Sequence, residues 1–349
     1  MTMQKGFSIV EMMVGVTLGL LGMLAVSGVL VSFNSNRNAT TQTMESQNNG
    51  TMALYLMERD LTQAGYGLMS IQDCPTINWY YNGSLQTPLT TLPVRITDGA
   101  AAADSLQVQY AKSTAGVPAT QITQNQNALG DSLFAASIVG LVSGNLVVAD
   151  VAGACTLYAV TAVDKNPASP TYGSLAHANT NSYNPATNPG TGWDMVQVGN
   201  TLANLGSDPQ LNLVSRFISK RYSISASGLE AATFPTYSSS PLVDNIVFMK
   251  AQYGRDTNGD GVVDLWSSGA WIPDNTTANQ VIALRIGIVA RSTEKIAINA
   301  PASFTLLPEL KDAAGTVIGA EVSYTPPDTT YRHKSYSTII PLRNVIWNN

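Results

Sequence analysis

A single long apolar run near the start of the chain dominates the hydropathy pattern. Residues 7–33 form a stretch of 27 residues with one charged side chain, that of Glu11. An α-helix rises about 1.5 Å per residue, so this stretch would span about 40 Å, more than the roughly 30 Å of a bilayer core. The pattern predicts a membrane-spanning helix over residues 7–33.

The pattern then becomes apolar on one face only. Residues 35–49 are rich in Asn, Gln and Thr and predict a solvated or filament-facing part of the same helix. Four apolar residues then recur at helical spacing, namely Leu54, Met57, Leu61 and Ala64. Such a stripe packs on a globular domain, so we expect residues 34–66 to form an amphipathic helix. The glycines of the Ala-Gly-Tyr-Gly segment at residues 64–67 would end it.

Beyond residue 67 the period of the pattern becomes that of β-strands. Within residues 281–292, Ile282, Leu284, Ile286 and Ile288 alternate with other residues, which is the period of two of a strand. Further strands are predicted at residues 105–111, 146–151, 157–163, 216–223, 246–253 and 336–340. We therefore predict an α+β fold, in which the long N-terminal helix packs on a large domain of antiparallel sheets, residues 67–349.

Residues 164–194 interrupt the strand pattern with Asn, Pro, Ser, Thr and Gly at most positions. A segment of this length without periodicity is long for a loop in a compact domain. It is an irregular insertion that either is solvated without a partner or forms an interaction surface.

Glu11 is the exceptional residue of the apolar run. A carboxylate at this depth costs roughly 2.5–3.5 kcal/mol on insertion scales, so it requires a partner. A secretory signal peptide cleaved before Gly28, or an ordinary signal anchor, does not explain it. Cleavage between Gly6 and Phe7 would create a charged amine four residues away, and between parallel helices the carboxylate of one subunit can meet the amine of another.

The segment at residues 5–11, with the sequence KGFSIVE, resembles the class III signal of type IV prepilins and pseudopilins. The resemblance implies that a prepilin peptidase removes residues 1–6 and that Phe7 is then N-methylated, which keeps its amine charged. It also implies that Glu11 docks the subunit during assembly. With Lys5 on the cytoplasmic side, the bulk of the chain would lie in the periplasm and later in the extracellular pilus.

Three further segments resemble the PilW family of minor pilins. They are ERDLTQAGYG at residues 58–67, Tyr253-Gly254 before an acidic loop, and IIPLRN at residues 339–344. The resemblance implies a subunit that joins other minor pilins in a tip complex, primes assembly of the major pilin and displays a PilY-type adhesin. A minor pseudopilin of type II secretion is one alternative. A surface-binding module that uses residues 164–194 is another.

The acidic loop at residues 256–264 has oxygen ligands at alternate positions. Asp256, Asn258, Asp260, the Val262 carbonyl and Asp264 match positions 1, 3, 5, 7 and 9 of an EF-hand-type loop, in a β-hairpin instead of between helices. Position twelve is Ser267 where a bidentate Glu is usual, so Asp274 could complete the shell. We predict a structural Ca²⁺ site; a metal-free hairpin turn is the alternative.

The remaining composition argues against several classes of protein. Net charge is −5, 12% of residues are charged and no basic run exceeds Lys220-Arg221, which disfavours a nucleic-acid surface. The two histidines, His177 and His333, belong to no nucleophile or zinc motif, so we predict no enzymatic activity. The two cysteines, Cys74 and Cys155, are expected to form a disulfide in the periplasm, with two buried thiols as the alternative.

Overall fold

The computed structural model describes residues 8–68, 74, 76–112, 119–151, 154–190, 193, 195–207, 216–274, 276–295 and 301–346. One helix, α1 (Ile9–Leu61), runs through the whole N-terminal part, as the apolar run and the amphipathic stripe predict. Its apolar part has a mean hydropathy of 2.3 and is not buried by the rest of the chain. Within the described ranges, it is the single helix long and apolar enough to cross a membrane. The predicted leader and cleavage site, Gly6 and Phe7, lie outside the described residues.

The second half of α1 packs on the domain along one face. The buried positions recur every three or four residues: Gln42, Ser46, Gly50, Ala53, Met57, Asp60 and Leu61. The predicted apolar stripe is confirmed, because Met57, Leu61 and Ala64 are fully buried and Leu54 packs against the same core. Contact begins earlier than the polar composition suggested, since the Gln42 Oε1 atom accepts a 2.8 Å hydrogen bond from the Thr293 amide.

The helix ends at Leu61, five residues before the predicted end. Gly65 and Gly67 adopt φ values of 79° and 71°, in the region that favours glycine. The Gly65 amide donates to the Gln109 carbonyl (2.9 Å), and the Ala111 amide donates to the Tyr66 carbonyl (2.7 Å). The backbone after Thr62 therefore pairs with a strand instead of continuing the helix.

Twenty-four strands, one 3₁₀-helix (Ala278–Gln280) and one short α-helix, α2 (Arg343–Ile346), follow in the described part of the chain. The strands are β1 (Thr76–Asn78), β2 (Tyr80–Tyr81), β3 (Ser84–Leu85), β4 (Leu89–Thr90), β5 (Val94–Thr97), β6 (Ser105–Lys112), β7 (Thr120–Gln121), β8 (Leu133–Phe134), β9 (Asn145–Val151), β10 (Ala154–Ala159), β11 (Ala162–Val163), β12 (Ser174–Ala176), β13 (Thr201–Ser207), β14 (Arg216–Ile224), β15 (Gly228–Thr233), β16 (Ser238–Asp244), β17 (Ile246–Arg255), β18 (Leu265–Ser268), β19 (Val281–Arg291), β20 (Phe304–Leu307), β21 (Leu310–Lys311), β22 (Val317–Gly319), β23 (Val322–Tyr324) and β24 (His333–Pro341). One long helix and mostly antiparallel sheets make the fold α+β, as predicted.

Two sheets and the second half of α1 enclose the main core. The antiparallel strands β5, β6, β14, β15 and β16 are neighbours in that order, and β18, β17, β19 and β24 form the second sheet. Side chains from both sheets and from α1 share one hydrophobic cluster. The hairpin strands β20–β23 cover the outer face of the second sheet, where the Arg285 guanidinium donates to the Pro308 carbonyl (2.8 Å) and the Ala320 carbonyl (3.1 Å).

A separate group of strands lies between β6 and β14, which pair directly with each other. Lys112 and Arg216 are Cα partners in that pair, so residues 113–215 leave and return at the same place. We call residues 119–207 the inserted lobe. It extends the first sheet through β13, β9 and β10, and it has a core of its own around Tyr158 and Trp193.

The inserted lobe changes the interpretation of residues 164–194. This segment contains β12, and Leu175, His177, Tyr183 and Trp193 within it are buried. The described part is therefore held in the lobe by several buried side chains, whereas the stretches between them, such as residues 165–168 and 178–180, are exposed. Polar turn residues concealed buried side chains that are widely spaced along the sequence.

Candidate functional sites

The first site is the exposed apolar part of α1 with its single carboxylate. The large apolar side chains from Ile9 to Phe33 are between 51% and 78% exposed. Glu11 lies in the first turn, where its Oε2 atom accepts a 3.0 Å hydrogen bond from the Ser8 amide. Within the described part of the chain, no cation lies within ion-pair distance of Glu11. The helix therefore presents an apolar surface and an acid that intramolecular contacts leave unneutralised.

A buried polar cluster fixes the other end of α1 to the first sheet. Asp60 is 3% exposed, and its Oδ2 atom accepts hydrogen bonds from Lys220 Nζ (2.9 Å) and the Tyr222 hydroxyl (2.6 Å). Burial, together with the charge of Asp60, raises the pKa of Tyr110 to about 12 and raises that of Tyr222 as well. Sequence reasoning missed this cluster, although an acid three residues after Met57 on an apolar stripe was a usable signal.

Gly50 marks the closest approach of α1 to the second sheet. A Cβ atom built at Gly50 would lie 2.3–2.8 Å from three ring atoms of Tyr336 in β24. Real Cβ atoms do not approach other atoms this closely, so the absence of a side chain at Gly50 lets the tyrosine ring approach the helix backbone. Together with the Asp60 cluster, this contact sets how the helix sits on the domain.

The acidic loop joins β17 and β18, which confirms the predicted hairpin. Arg255 and Leu265 are Cα partners, and residues 256–264 form the turn between them. Asp256 is 7% exposed, and its two carboxylate oxygens accept 2.7 Å hydrogen bonds from the Gly259 and Gly261 amides. The loop thus folds around the Asp256 carboxylate.

Of the other two acidic side chains of the loop, that of Asp260 is exposed and that of Asp264 is half-buried. The Asp264 Oδ2 atom accepts from the Thr257 amide (2.7 Å) and hydroxyl (2.8 Å), which lowers the pKa of Asp264. The Asn258 amide donates to Asp260 (3.2 Å) and Asp264 (3.3 Å), so a partial positive charge lies between these two carboxylates. The side chains of Asn258, Asp260 and Asp264, three of the predicted ligands, are therefore joined by hydrogen bonds within the loop.

Two details differ from the predicted metal shell. Ser267 lies in β18 opposite Tyr253, so the loop closes before its twelfth position. The Asp274 carboxylate accepts from Thr276 and Thr277 in its own turn, which lowers its pKa to about 2, and within the described contacts it makes none to the acidic loop. Asp274 as a sixth ligand is not supported.

The cysteines Cys74 and Cys155 form a disulfide, in agreement with the prediction. Cys155 lies in β10, and Asp150 is its Cα partner in β9. Both sulfurs are buried, with residue exposures of 2% and 0%. The bridge ties the segment after α1 to the inserted lobe.

The comparisons with known proteins agree with this division of the chain. Residues 1–27 match the family model of the prokaryotic N-terminal methylation motif, and residues 217–344 match that of Type IV Pilus-assembly protein W. A solved type IV-like pilin from Thermus thermophilus is 9% identical, with 86% of this chain and 96% of that chain covered and a TM-score of 0.36. No curated protein sequence matches the chain.

The matched regions contain most of the features on which the sequence resemblance rested, whereas the segment at residues 58–67 lies outside both. The first includes Glu11 and the start of α1, and the second extends from β14 to α2, including the acidic loop and β24. The inserted lobe lies outside both regions. The chain therefore resembles type IV pilus proteins in two regions, the N-terminal methylation motif at residues 1–27 and the PilW-type region at residues 217–344.

Proposed function

We propose that this pilin is a minor pilin that takes part in initiating type IV pilus assembly, in a tip complex with other minor pilins. The observation that carries the proposal is the exposed apolar half of α1 with Glu11 in its first turn. In the membrane and in a filament this surface meets apolar surroundings, so the transfer between them costs little hydrophobic energy. The carboxylate would gain a counter-charge only in the assembly.

The same proposal defines the partners and the location. A prepilin peptidase would cut after Gly6, and the amine of a neighbouring subunit would then approach Glu11. Before assembly the chain would be held in the inner membrane with its bulk in the periplasm; afterwards it would lie in the pilus, beside the major pilin and a PilY-type adhesin. Mass spectrometry of the native N terminus tests the first step, with methylated Phe7 as the expected terminal residue.

The assembly step is tested by removing the charge of Glu11. We expect Glu11→Gln and Glu11→Ala subunits to stay in the membrane fraction and to be depleted from sheared pili. Thr17→Val is the matched control, because the Thr17 hydroxyl bonds only within its own helix, to the Met13 carbonyl (3.0 Å) and the Val14 carbonyl (2.9 Å). Normal entry of the Glu11→Gln subunit into pili would refute the ionic docking step.

The inserted lobe supports a second candidate function, surface binding. The chain leaves for the lobe after β6, which pairs with the turn that follows α1 through the Ala111 amide and the Tyr66 carbonyl, and the lobe lies outside both matched family regions. A module at this position would be displayed outward in an assembled pilus. The surface that binds the target would then be a specific feature of this chain, because it would lie outside the regions that match the two families.

The structure allows a local test of that candidate. The Gly173 amide donates to the Asp164 carbonyl (3.1 Å), so residues 165–172 can be replaced by a two-residue turn without separating β11 from β12. Loss of surface attachment with normal piliation would favour the binding module. Loss of piliation would favour the priming role, and a deletion strain that keeps its pili but fails to secrete enzymes would favour type II secretion.

We further propose that the acidic loop binds Ca²⁺ and that the ion stabilises the domain. The donor set is all oxygen, as Ca²⁺ prefers, and the Asp256 carboxylate already organises the loop. Among the described residues, however, the carboxylates of Asp256, Asp260 and Asp264 do not gather within 4.8 Å of one another. The side chains of Asp260 and Asp264 would have to turn toward Asp256, which favours modest affinity.

Chelation and metal analysis of the purified full chain test this site. An ion at 100 times its dissociation constant would stabilise the fold by about 2.7 kcal/mol, so calcium should raise the melting temperature and chelator should lower it. Asp260→Asn should abolish the difference. Asp312→Asn, in another exposed turn, is the control and should retain it. Equal melting temperatures with and without chelator, and no calcium in the protein, would exclude the site.

A further inference from the structure

The Asp150 carboxylate lies beside the disulfide, because one of its oxygens and the two sulfurs are all within 4.8 Å of one another. Cys155 is fully buried in β10, between β9 and β1, because Asp150 and Ile77 are its Cα partners on the two neighbouring strands. The Asp150 Oδ1 atom lies 3.9 Å from the Cys155 sulfur. Cys74 lies just before β1 and outside that sheet. A carboxylate is therefore close to both sulfurs of the bridge, at 3.9 Å from that of Cys155 and within 4.8 Å of that of Cys74.

Thiol–disulfide exchange depends on which sulfur departs as a thiolate. An external thiolate attacks one sulfur of the bridge, a new S–S bond forms, and the electron pair of the broken bond passes to the other sulfur. The departing sulfur is then protonated or remains charged. Exchange is faster when the departing thiolate is stable.

Both exchange routes are disfavoured at this bridge. Attack on Cys74 would expel the Cys155 thiolate beside the Asp150 carboxylate, and two negative charges about 4 Å apart in a partly buried site repel strongly. Attack on Cys155 would expel the Cys74 thiolate within 4.8 Å of the same carboxylate, and in both routes the nucleophile has to reach a buried residue, since the exposures of Cys74 and Cys155 are 2% and 0%. When reduced, Cys155 would be held as a thiol, because its S–H can donate to the same carboxylate.

We propose that Asp150 protects the Cys74–Cys155 bridge against exchange with external thiols once the bridge has formed. The reductants concerned are small dithiols and the dithiol active sites of disulfide isomerases. The protection preserves the covalent tie between the segment after α1 and the inserted lobe. This role is separate from pilus assembly and does not depend on the function of the pilin.

The test is the rate at which dithiothreitol reduces the full-length, detergent-solubilised protein, followed by alkylation of the freed cysteines. We expect Asp150→Asn to be reduced at least about tenfold faster than wild type at neutral pH, since the repulsion is removed. Asp150→Glu, which keeps the charge, should remain slow. Asp244→Asn, an exposed acid in β16, should match wild type.

A change in stability alone would give a different pattern. If reduction requires unfolding, the rates of all variants would follow their melting temperatures, Asp150→Glu would be as fast as Asp150→Asn, and the proposal would be wrong. Asp150→Thr, a neutral residue favoured in strands, should also be reduced fast and serves if Asp150→Asn folds poorly. A rate within twofold of wild type for both neutral variants would overturn the proposal.

Discussion

The contact of Gly50 with Tyr336 predicts that a normally stabilising substitution becomes destabilising. Replacing a helix-interior glycine by alanine gains roughly 1 kcal/mol, because alanine loses less backbone entropy on folding. At Gly50 the new methyl group would lie 2.3 Å from the Tyr336 Cε2 atom and 2.4 Å from Cδ2. Overpacking of this kind costs typically about 1–3 kcal/mol. We therefore expect Gly50→Ala to change stability by roughly zero to 2 kcal/mol, in the destabilising direction.

Removing the ring should reverse the sign of the effect. In a Tyr336→Ala background the methyl group has space, and Gly50→Ala should then stabilise by up to roughly 1 kcal/mol. A double-mutant cycle measured by thermal unfolding of the full chain in detergent gives the coupling directly. As a control, Gly22→Ala lies where nothing is within 4 Å of the added Cβ atom and should show no dependence on Tyr336.

The result that would refute the reasoning is simple to recognise. If Gly50→Ala stabilises the otherwise unchanged protein by the full helix-propensity gain, the ring does not press on the helix. The same conclusion would follow if the two substitutions were additive. In either case the position of α1 on β24 would not depend on close approach at Gly50.

Three further predictions concern polar and covalent contacts. Asp60→Asn should destabilise the protein by about 3 kcal/mol, because it breaks the buried ion pair with Lys220. Arg59→Ala, at a side chain that is 53% exposed, should change the stability by less than about 0.5 kcal/mol. Urea unfolding of the two variants measures this difference. Burial lowers the pKa of His177 from 6.5, and the backbone and charge of Asp131 oppose this shift with a smaller effect. The neutral imidazole of His177 therefore contributes to stability above about pH 6.5, and this contribution is lost as the pH falls through the lowered pKa. His177→Gln should flatten that part of the pH–stability curve, read from the fluorescence of the buried tryptophan of the lobe, and an unchanged curve would refute the assignment. Joint replacement of Cys74 and Cys155 by alanine should cost up to roughly 4.5 kcal/mol in the chain-entropy view, and a loss below about 1 kcal/mol would show that the bridge constrains the unfolded chain little.

The local pattern of hydrophobic residues was sufficient to predict the main helix and the strands of the framework. The apolar run and the stripe at Met57 and Leu61 predicted α1, because helical period and burial coincide there. The alternation within β19 predicted its period of two, even though that strand proved to be buried on both faces by α1 and by the β20–β23 hairpins. Local periodicity carries this information directly.

The same pattern could not predict which distant strands pair with each other. The contact between β6 and β14 joins segments separated by residues 113–215, and nothing in either strand specifies its partner. The Asp60 cluster depends on Lys220 and Tyr222, which reach it from a distant strand. For the acidic loop, the residue types identified the turn and its donors, but side-chain orientation decides whether the carboxylates converge.

The pairing of Lys112 with Arg216 has a consequence for the modularity of the chain. Because the polypeptide departs from the framework and rejoins it at neighbouring positions of one strand pair, another compact domain with adjacent termini could be grafted there by two short linkers. The grafted domain would have to cover Phe217 and Phe234, which pack against the native lobe. Removal of the native lobe would also remove Cys155, the disulfide partner of Cys74. The framework would then hold and display different domains at the same position.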